Sequence, residues 1–238
     1  MHILITGAAG MIGRKLTQRL VGAGALNGEP IDKLTLLDVV APTAPAGGAC
    51  AIETVAADLS APVTATPAIA PRPQVIFHLA GVVSGEAELD FEKGYRVNLD
   101  GMRALLEAIR AIGDGYRPRL VYTSSIAVFG APFPHSIPDD FHLTPRTSYG
   151  AAKAIGELLL ADYTRRGFCT GVGIRLPSIV VRLQYAVCAM SESEAKQELQ
   201  RRLLGQDVFG YTVEDIVAAT GKEAAQLNLP DGCVQLLG

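Results

Sequence analysis

The sequence predicts an α/β fold built on a doubly wound parallel sheet, with a short helical segment at its C-terminal end. Three observations carry this. Short apolar runs alternate with longer stretches of helical period, as strand–helix–strand units require. The first run, "HILIT", leads directly into "GAAGMIG", with glycines at 7, 10 and 13 where strand gives way to helix. The second run, "KLTLLDVV", carries an acidic residue, Asp38, near its end. A glycine-rich first turn followed by such an acid is the arrangement of a Rossmann-type dinucleotide-binding sheet.

The elements follow in order. "HILIT" (2–6) is the first strand, and a helix runs from about Met11 to Val21. Residues 33–40 form the second strand and "AIETVAADL" (51–59) the third. Proline-rich 61–73 allows little more than a short helix. "QVIFHLAG" (74–81) is the fourth strand. A helix of period near 3.6 then carries Val97, Met102, Leu105, Leu106 and Ile109. "RLVYTSS" (119–125) is the fifth strand, and "APFPHSIPDD" reads as a loop. "SYGAAKAIGELLLADYTRRG" is a helix ending at Gly167, and "GVGIRLP" (171–177) is the sixth strand. These elements make residues 1–182 a dinucleotide-binding domain with the reactive groups described below.

After Arg182 the pattern changes. "MSESEAKQELQRRLLG" opens on a Ser191…Glu194 capping box and stops at Gly205, and "YTVEDIVAATG" repeats the device. Residues 183–238 therefore read as a short helical tail.

Composition narrows the function classes. Apolar residues make up 49% and charged residues 19%, as in a globular protein. The net charge of −3, with scattered basic residues, speaks against a nucleic-acid surface. The most apolar late stretch, 172–190, is broken by Arg175, Arg182 and Gln184, so no membrane span is expected. The four cysteines show no CxxC pair and the four histidines no ligand spacing, so no metal site is expected. His78 inside an apolar run reads as a hydrogen-bonded core histidine. The first strand begins at residue 2 with no basic region or cleavage site before it, which predicts a reduced, cytoplasmic setting.

The glycine turn has a division of labour. Gly7 permits the tight turn, Gly10 lets backbone approach a phosphate, and Gly13 lets helix pack on strand. Helix N–H groups and dipole then stabilise pyrophosphate charge. Asp38 is placed to bond a ribose 2′-hydroxyl and would repel a 2′-phosphate, which predicts NAD over NADP. Asp58 closes the third strand in a similar way.

The reacting groups lie at the other end of that cofactor. Tyr149 and Lys153 are four apart and share a helix face. A phenol is a poor base at neutral pH, but a nearby ammonium stabilises its phenolate. Ser125, at a strand's carboxyl end, can hold the substrate oxygen while Tyr149 takes the alcohol proton and hydride leaves the same carbon.

Taken together, "TGAAGMIG", "LLDVV", "ADL", "HLAG", "YRVNLDG", "TSSIAVFG", "SYGAAK" and "IRLPSIV" resemble the extended short-chain dehydrogenase/reductase family, the group of nucleotide-sugar epimerases and dehydratases. The resemblance implies NAD held by Gly7, Gly10, Met11, Ile12, Gly13, Asp38, Asp58, Leu59, Leu79, Ala80, Asn98, Tyr149, Lys153 and Pro177. It implies catalysis by Ser125, Tyr149 and Lys153. Longer stretches, among them "HLAGVVSGEAELDFEKGYRVNLDG" and "TSSIAVFGAPFP", resemble sugar-acid dehydrogenases of the group. They imply NAD-dependent oxidation of a four-carbon sugar acid at C2 to its 2-oxo acid, with Ser84 near the substrate beside Ser125 and Tyr149. A helix cap is the competing reading of Ser84.

The resemblance stops near residue 182, where members of the family continue into a substrate domain. The abrupt join at that point, with Met190 resembling another protein's start, predicts a rearranged, frameshifted or fused reading frame. An NAD-binding remnant without turnover, or an epimerase or dehydratase that retains its NAD, are the alternatives. Apolar residues on more than one face of two helices, roughly 87–110 and 148–166, predict a homodimer.

Overall fold

The structure is a computed structural model, and it describes residues 1–177 apart from 139, without the side chains of 62 and 63. Residues Met1–Leu176 form one compact unit. The predicted boundary at 182 and the predicted helices of 183–238 lie outside the described residues.

The chain begins with β1 (His2–Thr6) and α1 (Met11–Ala23). A two-residue hairpin follows, β2 (Ala25–Leu26) and β3 (Glu29–Pro30), then β4 (Lys33–Asp38) and β5 (Ala51–Ala56). Next come α2 (Pro62–Ile69), β6 (Val75–His78), α3 (Ser84–Leu89) and α4 (Phe91–Tyr95). A wide π-type turn, Arg96–Asp100, joins α4 to α5 (Gly101–Ile112). The unit closes with β7 (Arg119–Ser125), α6 (Ser148–Arg165) and β8 (Thr170–Leu176).

The main sheet has the order β5-β4-β1-β6-β7-β8, and every neighbouring pair is parallel. Strand order reverses between β1 and β6, so the loops leaving their carboxyl ends open a crevice at that point. Ile3, Leu4 and Ile5 are completely buried, because helices cover both faces of the central strand. On one face Ile3, Ile5, Leu34, Leu36 and Val75 pack with Leu20 and Val21 of α1. On the other, Leu4, Ile76, Leu120 and Tyr122 pack with Met102, Leu105, Leu106 and Ile109 of α5 and Leu160 of α6.

Several predicted elements end early, for a common reason. β4 stops at Asp38 rather than residue 40, because the Asp38 carboxylate captures the Val40 N–H at 3.2 Å and turns the chain out. β5 stops at Ala56, where Asp58 accepts the Ser60 N–H at 2.9 Å and starts a turn. The helix expected from about 87 to 110 is broken at Asp90, whose backbone leaves the helical conformation and whose side chain caps α4 by accepting the Lys93 N–H at 3.0 Å.

Candidate active site

The glycine turn is shaped by close approaches that leave no room for side chains. Gly7 takes φ +74°, a left-handed conformation that favours glycine, and a Cβ on it would meet Ala80 N and Leu79 C at 2.6 Å. A Cβ on Gly13 would lie 2.2 Å from Gly7 O, so Gly13 packs α1 on the turn and does not face the crevice. Gly10 is the N-cap of α1, with no side-chain cap and no acid in the first turn. The helix N-terminus is therefore left to an external anion. Met11 and Ile12 are the first residues of α1, half-buried.

A crevice of about 590 Å³ opens over this turn. Of the residues expected at the cofactor, Gly7, Gly10, Asp38, Asp58, Leu59, Leu79 and Ala80 line it. Asp38 Oδ2 accepts the Ala9 N–H at 2.9 Å, which ties the end of β4 to the glycine turn. Asp58 is hydrogen-bonded by the Ser60 hydroxyl at 2.6 Å and paired with Arg96 at 3.1 Å. These contacts hold its carboxyl below the usual range, the Ser60 bond contributing most. The free α1 terminus, the acid at the end of β4 and the glycine floor fit a dinucleotide. Arg96, Lys93 and Ser60 also line the crevice and were not evident from sequence. The one signal for Arg96 was its place two residues before Asn98.

Asn98 is buried in the wide turn. Its Oδ1 accepts the Val82 N–H at 3.0 Å and its Nδ2 donates to Val82 O at 3.1 Å. Gly81 marks where this end of the crevice meets the reactive helix. A Cβ on Gly81 would touch Asn98 Oδ1 at 2.8 Å and Lys153 Nζ at 3.4 Å.

Ser125 ends β7, and its Oγ accepts the Ala127 N–H at 3.1 Å. Tyr149 and Lys153 lie in the first turns of α6, whose N-cap Thr147 accepts the Gly150 N–H at 2.9 Å. Glu88 of α3 accepts the Tyr149 N–H at 3.1 Å. Lys153 Nζ is 5.7 Å from the centre of the Tyr149 ring and donates to Thr123 O at 2.9 Å. Burial pushes the Tyr149 phenol up, and its hydrogen bond with Ser125 pulls the other way. Burial also brings the Lys153 ammonium down to about 8. His78 is buried and bonded to Thr6 Oγ1 at 2.8 Å, the core histidine the sequence suggested.

Ser84 is the first residue of α3 and not its cap. Val83 holds the cap position, and Ser84 Oγ is buried with no hydrogen-bond partner among the described residues. Pro177 directly follows β8 and is exposed. Among the described residues no group of His, Cys, Asp and Glu could hold a metal ion, and no helix is long and apolar enough to cross a membrane.

With this geometry in place, residues 3–185 match the model of the NAD dependent epimerase/dehydratase family. The chain belongs to that family. A D-erythronate dehydrogenase of Cupriavidus necator is 50% identical over 186 residues, covering 76% of this chain and 56% of the relative. A D-erythronate dehydrogenase of Haemophilus influenzae is 38% identical, with the same shares covered. The chain thus spans about half the length of the curated relatives it matches. Among solved structures, a nucleoside-diphosphate-sugar epimerase from Agrobacterium tumefaciens superposes with a TM-score of 0.74 at 66% identity, over 75% of this chain and 53% of that one. The Brucella ovis UDP-glucose 4-epimerase, solved in complex with NAD, gives 0.60 at 26% identity over 73% and 51%. As a member of the epimerase/dehydratase family the chain brings both halves of its site, crevice and reactive helix, within the matched region.

Proposed function

We propose that this chain carries the NAD-binding and catalytic part of a sugar-acid dehydrogenase, which oxidises a D-erythronate-like acid at C2 to the 2-oxo acid. Its 50% identity to a D-erythronate dehydrogenase is the observation that carries this reading. Gly7, Gly10, Met11, Ile12 and Gly13 form the pyrophosphate turn, and Asp38 takes the adenosine ribose hydroxyls. Asp58 and Leu59 border the adenine. Leu79, Ala80, Asn98 and Pro177 flank the nicotinamide side. NAD⁺, when bound, supplies the hydride acceptor.

The chain's own residues do the rest. Ser125 hydrogen-bonds the C2 oxygen, and Tyr149 Oη accepts the hydroxyl proton as C2 gives up its hydride. Lys153 supports the phenolate with its positive charge. Ser84, whose Oγ is buried without a hydrogen-bond partner among the described residues, is assigned to the substrate side of this site. For each acid oxidised, one NADH and one proton appear.

The exposed Leu89, Phe91 and Leu158, at 79%, 60% and 65%, support a homodimer built on α3, α4 and α6. Light scattering that finds only monomer at micromolar concentration would remove that part of the reading.

A panel of aldonic acids offered with NAD⁺, followed by NADH absorbance, tests the whole. Turnover of D-erythronate that disappears in Tyr149→Phe is expected. Tight NAD⁺ binding with no oxidation of any acid would favour a binding remnant. Isomerisation of a sugar without net NADH would favour an epimerase.

A further inference from the structure

Under Lys153 lies an aromatic side chain that the proposed reaction does not use. Thr6, His78 and Tyr122 are register partners across β1, β6 and β7, so they point to the same face of the sheet. All three are buried, at 0%, 1% and 0%. The His78 imidazole and the Tyr122 ring stack at 5.8 Å and 17°. Lys153 Nζ stands over the Tyr122 ring, 5.0 Å from its centre.

Gly156 makes this approach possible. It lies three residues beyond Lys153 on the same helix face, and a Cβ there would come within 2.5 Å of Tyr122 Oη. Any side chain at 156 would drive the ring or the helix away. The Tyr122 hydroxyl itself has no hydrogen-bond partner among the described residues. An unpaired buried hydroxyl weakens a fold, so what the position supplies is the ring.

We infer that the face of the Tyr122 ring is the seat that keeps the Lys153 ammonium charged and aimed at Tyr149, which makes Tyr122 a positioning residue of the catalytic pair. A buried ammonium needs a compensating partner. From β7 it meets Tyr122 and the Thr123 carbonyl, from α6 Tyr149, from β6 the neutral imidazole of His78, and across Gly81 the Asn98 amide. The nearby carboxylate, Glu157, is committed to Arg175 and Ser124. A carboxylate seated directly on Lys153 would stabilise the ammonium but cancel the field that Tyr149 needs. A ring quadrupole stabilises the cation and leaves its net charge intact.

The inference rests on Tyr149 and Lys153 being the catalytic pair, and its test reads Lys153 without requiring turnover. In the full chain carrying ¹³C-lysine, the Lys153 Cε signal is assigned by its loss in Lys153→Met and titrated with pH. Tyr122→Phe keeps the ring, and the midpoint should stay within about 0.2 pH unit. Phenylalanine at 122 is then replaced by its 4-fluoro, 3,5-difluoro and 3,4,5-trifluoro forms, which keep the shape and drain the ring face. The midpoint should fall stepwise by ~0.5 pH unit or more in total, about threefold in the protonation constant. A midpoint independent of fluorine count, or unchanged in Tyr122→Leu, overturns the inference. A fluorine-dependent midpoint in a chain that oxidises no sugar acid would count against the dehydrogenase reading alone.

Discussion

The Glu157 carboxylate grips the Arg175 guanidinium with both oxygens, Nε at 3.0 Å from Oε1 and Nη2 at 2.8 Å from Oε2, and Oε1 also accepts the Ser124 hydroxyl. This joins α6, β8 and β7 next to Ser125. The pair is largely buried, with side-chain exposures of 14% and 29%. Glu157→Ala leaves both donors without their carboxylate and should cost about 2–4 kcal/mol in urea unfolding, with Glu157→Gln costing less.

Tyr149→Phe removes one oxygen and little packing. On the proposed dehydrogenase reading its rate should fall by about 10²–10⁴-fold, while the affinity for NAD⁺, read by calorimetry, changes far less. Equal turnover by the variant would take the proton-accepting role away from Tyr149.

Lys153 should trade stability for function. Its folded pKa of about 8 lies below the unfolded value of ~10.4. A cation depressed in this way costs stability in full below about pH 8, and the cost fades as pH rises from there to ~10.4, above which it is gone. Lys153→Met removes the cost but also the hydrogen bond to the Thr123 carbonyl. The net should be a gain of ~1–2 kcal/mol at pH 7 that shrinks toward pH 10, in a chain without activity.

His78 sets an acid limit. Burial lowers its folded pKa to about 3, against ~6.5 unfolded. Below ~6.5 the unfolded chain takes up a proton that the folded chain refuses. The His78 contribution is therefore complete above that pH and is lost on the way down to 3, at ~1.4 kcal/mol per pH unit. Asp58, whose folded pKa is also depressed, adds its own loss only below ~4. Denaturant unfolding at pH 7.5, 6 and 5 should show the slope, and His78→Gln should flatten it. His2, lowered by burial as well, stays as the residual.

Gly13→Ala tests the glycine turn. The new methyl would fall 2.2 Å from Gly7 O and 2.7 Å from the Ala8 Cα, backbone that cannot swing aside. A loss of ~1–3 kcal/mol in unfolding, together with weaker NAD⁺ binding, is expected.

Sequence pattern carried the sheet well, because a parallel strand buried on both faces leaves a near-continuous apolar run such as "HILIT" or "KLTLL". It overran the ends of β4 and β5. There side-chain acceptors, Asp38 and Asp58, outcompete the ladder for backbone N–H groups, and the flanking residues are apolar enough to look like strand. Gly7, Gly10, Asp38, Tyr149 and Lys153 were legible because each sits at a fixed distance from an element boundary. Tyr122, Arg96 and Glu157 were not. Their importance depends on what a neighbouring strand or helix places against them, and nothing local in the chain marks it.

The wide turn at Arg96–Asp100 has a geometric consequence. An extra residue in a helical turn advances everything after it by roughly 100°. Within that turn, Asn98 lays its amide along the Val82 backbone, accepting its N–H and donating to its carbonyl. Beyond it, Met102, Leu105, Leu106 and Ile109 still meet the sheet squarely, each at 1% exposure or less. Removing one residue from this turn would rotate the apolar stripe of α5 out of phase with the sheet, so the fit of the core and the aim of one amide are set by the same angular offset.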